Sequence, residues 1–193
     1  MSHFYAMLFR MRNIERWSLM RNMFSENLSE HTLEVALIAH ALAVISNKRF
    51  GTAYDADKAA VAALFHDVPE IITGDLPTPV KYYNAQIKSA YGQIEREARE
   101  NLLSLLPEDL REEFAGILHP DAHLQPLVHA ADKIQALIKC DDEIRLGNQE
   151  FAAAREATAT AVDALELPAV KVFLEEFLPS FSLPLDSQTK ADT

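Results

Sequence analysis

Cysteine occurs once in the 193 residues, at Cys140, and glycine only five times. A single thiol excludes an internal disulfide framework and suits a reducing compartment, so a cytoplasmic location is expected. So few glycines beside 49% apolar residues exclude a disordered chain and favour a compact, mostly helical one. No uninterrupted apolar run approaches the roughly 18–20 residues that span a bilayer. The opening stretch MSHFYAMLFRMRN lacks the apolar core and small-residue cleavage site of a signal peptide. Positive charge is also short, with 18 Lys and Arg against 29 Asp and Glu and a net charge of −11. That balance argues against non-specific binding to nucleic acid or anionic lipid. An anionic substrate would need a local cationic centre, such as a bound metal provides.

Helical spacing fills nearly the whole chain, without internal repeats or low-complexity linkers. The pattern predicts a first helix over 3–12, then an irregular NIERWSLMRNMFSEN. A long helix starts at Ser29, a natural N-cap residue, and runs to Ile45. Another begins at Asp55 and ends where Pro69 withdraws an amide and disfavours helical geometry at Val68. TGDLPTPVKYY, punctuated by Gly74, Pro77 and Pro79, reads as a stiff loop. Residues 81–106 carry Ile87, Tyr91, Ile94, Leu102 and Leu105 at helical spacing. Pro107 suits the first position of a shorter helix with Leu110, Phe114 and Ile117. Further helices fit 125–146, 150–167 and 169–177. The expectation is an all-α domain over 1–185 with a flexible tail from 186 to 193.

Three segments carry residue types that suit chemistry. His31 shares a helical stripe with Val35, Ile38, Leu42 and Ile45 and so should face inward, whereas His40 lies off it. A histidine there is either a core residue satisfied by one hydrogen bond or a ligand. The adjacent His66 and Asp67 would point about 100° apart on a helix. Ending the helix at this dyad frees both side chains to turn toward one point. Imidazole nitrogen with carboxylate oxygen suits borderline divalent ions such as Zn, Mn, Fe or Co; the alternative is an ordinary helix C-terminus. Asp132 flanks the apolar face of Leu127, Ala131, Ile134 and Ile138 and needs a partner there. Lys133 or Lys139 could supply it, or a metal shared with His31, His66 and Asp67. Such a set leaves an octahedral ion two open positions, a catalytic rather than a closed structural arrangement. His119 and His123 in HPDAH are four apart, but the proline between them marks a surface loop.

The pattern H…HD…D on helices resembles the HD-domain superfamily of metal-dependent phosphohydrolases. Within it, the chain is similar to the bacterial 5′-deoxynucleotidase (YfbR-like) branch. RWSLMRN (16–22), ENLSEHTLEVA (26–36), HDVPEIITGDLPTPVKYYN (66–84), ADKIQALIKCDDE (131–143) and FLPSFSL (177–183) carry the likeness across nearly the whole chain. One departure is Val68-Pro69, where two small or polar residues are expected. The resemblance implies a helical HD-domain bundle that hydrolyses deoxyribonucleoside 5′-monophosphates. His31, His66, Asp67 and Asp132 become ligands of one divalent ion, Co²⁺ or Mn²⁺ first, with Zn²⁺, Fe²⁺, Cu²⁺ or Mg²⁺ as alternatives. Glu70 and Asp75 become the acid and base, their labels exchangeable. Arg16, Trp17 and the loop Asp75, Leu76, Pro77 and Thr78 become substrate contacts, together with Asp67 and Asp132. A homodimer is implied, with no nucleic-acid or membrane partner. Two other readings stay open: a related HD hydrolase of triphosphates, cyclic dinucleotides or alarmones, and a non-enzymatic metal-binding scaffold. Few basic residues count against the first, and Arg16 with Glu70 against the second.

Overall fold

The structure, a computed structural model, describes residues 1–81, 83–119 and 121–189. Among these residues it contains eleven α-helices and no strand: α1 (Phe4–Leu8), α2 (Leu28–Phe50), α3 (Ala56–Leu64), α4 (Glu70–Thr73), α5 (Thr78–Lys81), α6 (Ala85–Ser104), α7 (Arg111–Leu118), α8 (Gln125–Arg145), α9 (Ala152–Asp163), α10 (Pro168–Glu176) and α11 (Leu185–Gln188). The all-α expectation holds, and the helix ends differ from it for local reasons.

Helix α2 is capped by Asn27 rather than Ser29. Asn27 Oδ1 accepts the amides of Ser29 and Glu30 at 3.0 and 3.1 Å, and Glu30 Oε2 accepts the Asn27 amide at 3.1 Å. This reciprocal box satisfies donors that Ser29, already inside the first turn, leaves orphaned. At the other end the helix runs past Ile45 to Phe50, because Gly51 is the residue that takes the left-handed cap, at φ 70°. Asn27→Ala should cost about 1 kcal/mol. The check is a lower urea midpoint with an unchanged m value.

Asp55 does cap α3, accepting the Lys58 amide at 3.0 Å. The helix stops at Leu64, two residues before the dyad. Phe65 and His66 donate to the carbonyls of Ala62 and Ala63, both at 3.3 Å, so the chain tightens into a turn before Pro69. The stretch read as a loop contains α5, a single turn in which the amides of Val80 and Lys81 share the Pro77 carbonyl. Pro79 is tolerated because an amide in the first turn needs no partner. Tyr82, also in that stretch, lies outside the described residues.

Helix α6 starts at Ala85, where Asn84 accepts the Ile87 amide at 2.8 Å; Tyr91 and Leu102 are buried, but Ile94 faces solvent. Pro107 stands just outside a 3₁₀ turn (Glu108–Leu110) that leads into α7. A similar turn (Gln149–Phe151) precedes α9. In the segment expected to be a tail, α11 adds one helical turn, and 190–193 lie outside the described residues.

Two apolar clusters organise these helices. One joins Val35, Leu42 and Ile45 of α2 to Ala63 of α3, Leu127 and Ile134 of α8 and Phe173 of α10. The other joins Phe4, Leu28, Leu102 and Leu118 to Val68 and Ile71, which flank the turn around Pro69. Val68, the departure from the family pattern, therefore anchors the turn below the His66–Asp67 dyad. His31 lies on α2 between the two clusters. An 18-residue window of α2 reaches a mean hydropathy of 1.4, although charged and polar residues interrupt it. Its apolar stripe is the one that lines the first cluster.

Candidate metal centre and active site

His31 is fully buried, and its ring is held from behind. Nδ1 lies 2.7 Å from Gln135 Oε1. The amide of Gln135 is oriented by two carboxylates, since its Nε2 donates to Glu26 Oε1 and to Glu34 Oε2. Carboxylates only accept, so the Gln135 oxygen must face the ring and Nδ1 must carry a proton. Nε2 of His31 therefore points forward. The tight turn at 65–69 brings His66 opposite, with ring centroids 5.4 Å apart. His66 Nδ1 lies 2.6 Å from the Ala63 carbonyl, which fixes its proton on Nδ1 in the same way.

Both Nε2 atoms are buried and lack a hydrogen-bond partner, although carboxylates surround them. Asp67 Oδ2 lies 2.9 Å from Nε2 of His66, out of line for a bond, and 3.5 Å from Nε2 of His31. Asp132 Oδ1 lies 3.4 Å from Nε2 of His31. Two imidazole nitrogens and carboxylate oxygens converge here in a set that could hold a cation. Donor atoms from His31, His66 and Asp67 all lie within 4.8 Å of one another. This nitrogen–oxygen set fits a borderline divalent ion, and Asp132 closes on it from α8.

Electrostatics point the same way. Burial alone would lower His31, yet its carboxylate neighbours Asp132 and Asp67 push it up to about 9. Burial opposes ionisation of Asp67, but the neighbouring His66 and His31 hold it well below the usual carboxylate range. A divalent ion held there would supply the positive charge that the extra proton on His31 otherwise provides. Lys133 also meets Asp132, at 3.1 Å, so the local pairing read from the sequence exists beside the shared centre. Lys139 does not join it; it is buried against Glu143 instead.

Glu70 opens α4 and is buried, with Oε2 unpartnered, so it is no surface carboxylate. Burial, then the charges of Asp67 and Asp75, push it up to about 9. Asp75 is half-buried; burial raises it, and Arg16 partly offsets that. Arg16 directs Nη1 toward Asp67 at 3.8 Å while its Nε binds Glu26 at 3.2 Å. Trp17 is half-buried, 5.3 Å from the Phe151 ring, and adopts φ 57°. Leu76 and Pro77 are half-buried and Thr78 is exposed.

The decoys stay apart. His40 is exposed, 3.8 Å from Asp57; His119 pairs with Glu100 at 3.1 Å, and His123 stacks on Tyr54 at 4.7 Å. Pro120 lies outside the described residues. Sequence reasoning passed over Glu26 and Gln135. Gln135 follows Asp132 by three positions and precedes Lys139 by four, a polar stripe on α8 that helical spacing makes visible.

Comparisons with known proteins show what the chain is similar to. The sequence model of the 5′-deoxynucleotidase YfbR-like family matches residues 3–181. A 5′-deoxynucleotidase of Shewanella oneidensis is 45% identical over 193 residues, 98% of this chain and 99% of the relative. One from Vibrio parahaemolyticus is 47% identical, covering 96% and 97%. Among solved structures, an HD-domain phosphohydrolase from Listeria innocua superposes with a TM-score of 0.80 at 25% identity, covering 93% of this chain and 88% of that one. With its family pattern matched almost end to end, the chain belongs to the YfbR-like 5′-deoxynucleotidase family.

Proposed function

We propose that the chain hydrolyses deoxyribonucleoside 5′-monophosphates to deoxyribonucleosides and phosphate, with His31, His66, Asp67 and Asp132 holding one divalent ion. The observation that carries this reading is the trio of buried, unpartnered atoms: Nε2 of His31, Nε2 of His66 and Oε2 of Glu70. A bound divalent ion supplies an acidified water and positive charge against the phosphate. Co²⁺ or Mn²⁺ is the first choice, and Zn²⁺, Fe²⁺, Cu²⁺ or Mg²⁺ the alternatives.

The chain's own residues do the rest. Glu70 exchanges a proton with the attacking water, and Asp75 with the departing 5′-oxygen; the two labels are interchangeable. Water adds its oxygen to phosphorus, the P–O5′ bond breaks, and the alcohol leaves with one proton. Arg16 has Nε committed to Glu26, so it offers phosphate the Nη1/Nη2 edge. Asp75, Leu76, Pro77 and Thr78 form one rim of the substrate site, and Asp67 and Asp132, which would hold the ion, line its floor as further substrate contacts.

Trp17 stands against the sugar, where a rigid indole leaves no room for a 2′-hydroxyl. Trp17→Ala should narrow the ratio of kcat/KM for dAMP over AMP, chiefly by admitting AMP. An unchanged ratio in a folded variant would reduce Trp17 to packing against Phe151.

The same reading places one catalytic domain over 1–185 and a tail beyond it, working in the cytoplasm without nucleic-acid or membrane partners. It includes a homodimer, for which the exposed Leu33, Leu37 and Val44 along α2 offer an apolar surface.

A further inference from the structure

Glu26 is a buried carboxylate that none of the roles above uses, and it touches both halves of the site. Its Oε2 accepts Nε of Arg16 at 3.2 Å and Nε1 of Trp17 at 3.0 Å. Its Oε1 accepts Nε2 of Gln135, whose oxygen meets Nδ1 of His31 at 2.7 Å. Glu26, Gln135 and His31 are 6%, 1% and 0% exposed, so water does not compete for these bonds.

Two further features indicate that the carboxylate holds its neighbours rather than merely meeting them. Trp17 sits in the left-handed region, at φ 57°. For a bulky residue that conformation persists only when the surroundings over-determine it. The bonds that do so include Nε1 to Glu26, the Arg16 amide to the Glu26 carbonyl at 2.9 Å and the Met20 amide to the Trp17 carbonyl at 2.9 Å. Glu26 is itself fixed from the far side. Lys139 and Glu143, a buried pair on α8, grip the backbone of the preceding loop: Lys139 Nζ donates to the Phe24 carbonyl at 2.8 Å, and Glu143 Oε2 accepts the Met23 amide at 2.9 Å. The stripe Asp132, Gln135, Lys139 and Glu143 thus ties α8 to the loop and to the metal centre along one helix face.

We propose that Glu26 is a shared positioning residue: one carboxylate sets the free edge of Arg16 and the plane of Trp17, and through Gln135 it sets the ring of His31. Sugar selection and metal affinity are then joined through Glu26. The inference rests on the roles proposed above for Arg16, Trp17 and His31, and its test separates the two. Outer partners of ligating histidines typically change metal affinity 10–100-fold, on the order of the loss expected here.

Three readouts decide it: Co²⁺ affinity by titration, the emission of Trp17, the single tryptophan of the chain, and kcat/KM for dAMP and AMP. Gln135→Leu cuts the branch to His31 and frees Glu26 Oε1 and Glu34 Oε2, while Glu26 Oε2 keeps its bonds to Arg16 and Trp17. It should weaken Co²⁺ binding by about 10–100-fold, leave Trp17 emission and the dAMP/AMP ratio unchanged, and recover kcat at saturating Co²⁺. Glu26→Gln adds a donor where only acceptors fit. It should weaken Co²⁺ binding, shift Trp17 emission to longer wavelength and lower the dAMP/AMP ratio together. Should that variant fail to fold, Glu26→Asp, which keeps the charge but shortens the reach, carries the same expectations in direction. Wild-type Co²⁺ affinity in Gln135→Leu, or unshifted emission with an unchanged ratio in the folded Glu26 variant, overturns the proposal. If the wild-type protein hydrolyses neither nucleotide, the enzymatic reading fails instead, while Co²⁺ affinity and Trp17 emission still decide the positioning role.

Discussion

Asp67→Ala should abolish turnover while the helices survive. Asp67 Oδ2 meets both histidine Nε2 atoms, at 2.9 and 3.5 Å, and it also faces Arg16 at 3.8 Å. Removing it takes a negative charge from the centre and opens one side of it. Charge stabilisation by a metal is worth several kcal/mol, so the expected loss is about 10³-fold or more in kcat/KM. The fold should tolerate the change, because what Asp67 gives the turn is its backbone carbonyl, which accepts the Glu70 amide at 2.9 Å in any variant. Circular dichroism should match the wild type, while Co²⁺ titration should show the site gone. Near-normal turnover in such a protein would remove Asp67 from the mechanism.

Glu70→Gln should divide differently, sparing binding and losing chemistry. General acid–base help is typically worth about 10²–10⁴-fold, and kcat should fall by that much with KM and Co²⁺ affinity little changed. If turnover stays normal, Asp75 is the residue to examine next. Stability gives a second readout in chelated protein. Burial, with the charges of Asp67 and Asp75, raises the folded Glu70 from 4.5 to about 9. The folded state then holds a proton that the unfolded state gives up, so this group's contribution declines as pH rises from 4.5 to about 9. Glutamine cannot ionise. The variant's unfolding free energy should therefore fall less steeply than the wild type's across that window, and parallel curves would mean that Glu70 is not held as a buried acid.

Much of this could be read from spacing. The stripe from His31 to Ile45 faces inward as its period requires, and Asp55 caps α3 as a short acceptor should. The resemblance implies His31, His66, Asp67 and Asp132 as ligands; the fold brings donor atoms of the first three within 4.8 Å of one another and sets Asp132 Oδ1 3.4 Å from His31 Nε2. What spacing could not give was competition between nearby signals. Asn27 and Ser29 are both good caps, and only the reciprocal bond from Glu30 selects Asn27. Pro77 and Pro79 look like breakers, yet a proline in the first turn permits α5. Glu26 was hidden for another reason. It lies in an irregular segment where periodicity is silent, and its partners Arg16, Trp17 and Gln135 come from three separate stretches of sequence. Gln135 was more legible, since a polar residue on the same helical face as Asp132 and Lys139 must find partners when buried.

The central claim is that an ion held at His31, His66, Asp67 and Asp132 drives hydrolysis of deoxynucleoside monophosphates. Phosphate release from dAMP and from AMP by chelated protein, before and after Co²⁺ or Mn²⁺ is restored, tests it most directly. The account predicts no release from either nucleotide without metal, and rapid release from dAMP with little from AMP once metal is added. Full activity of the chelated protein, or equal rates on the two nucleotides, would contradict it.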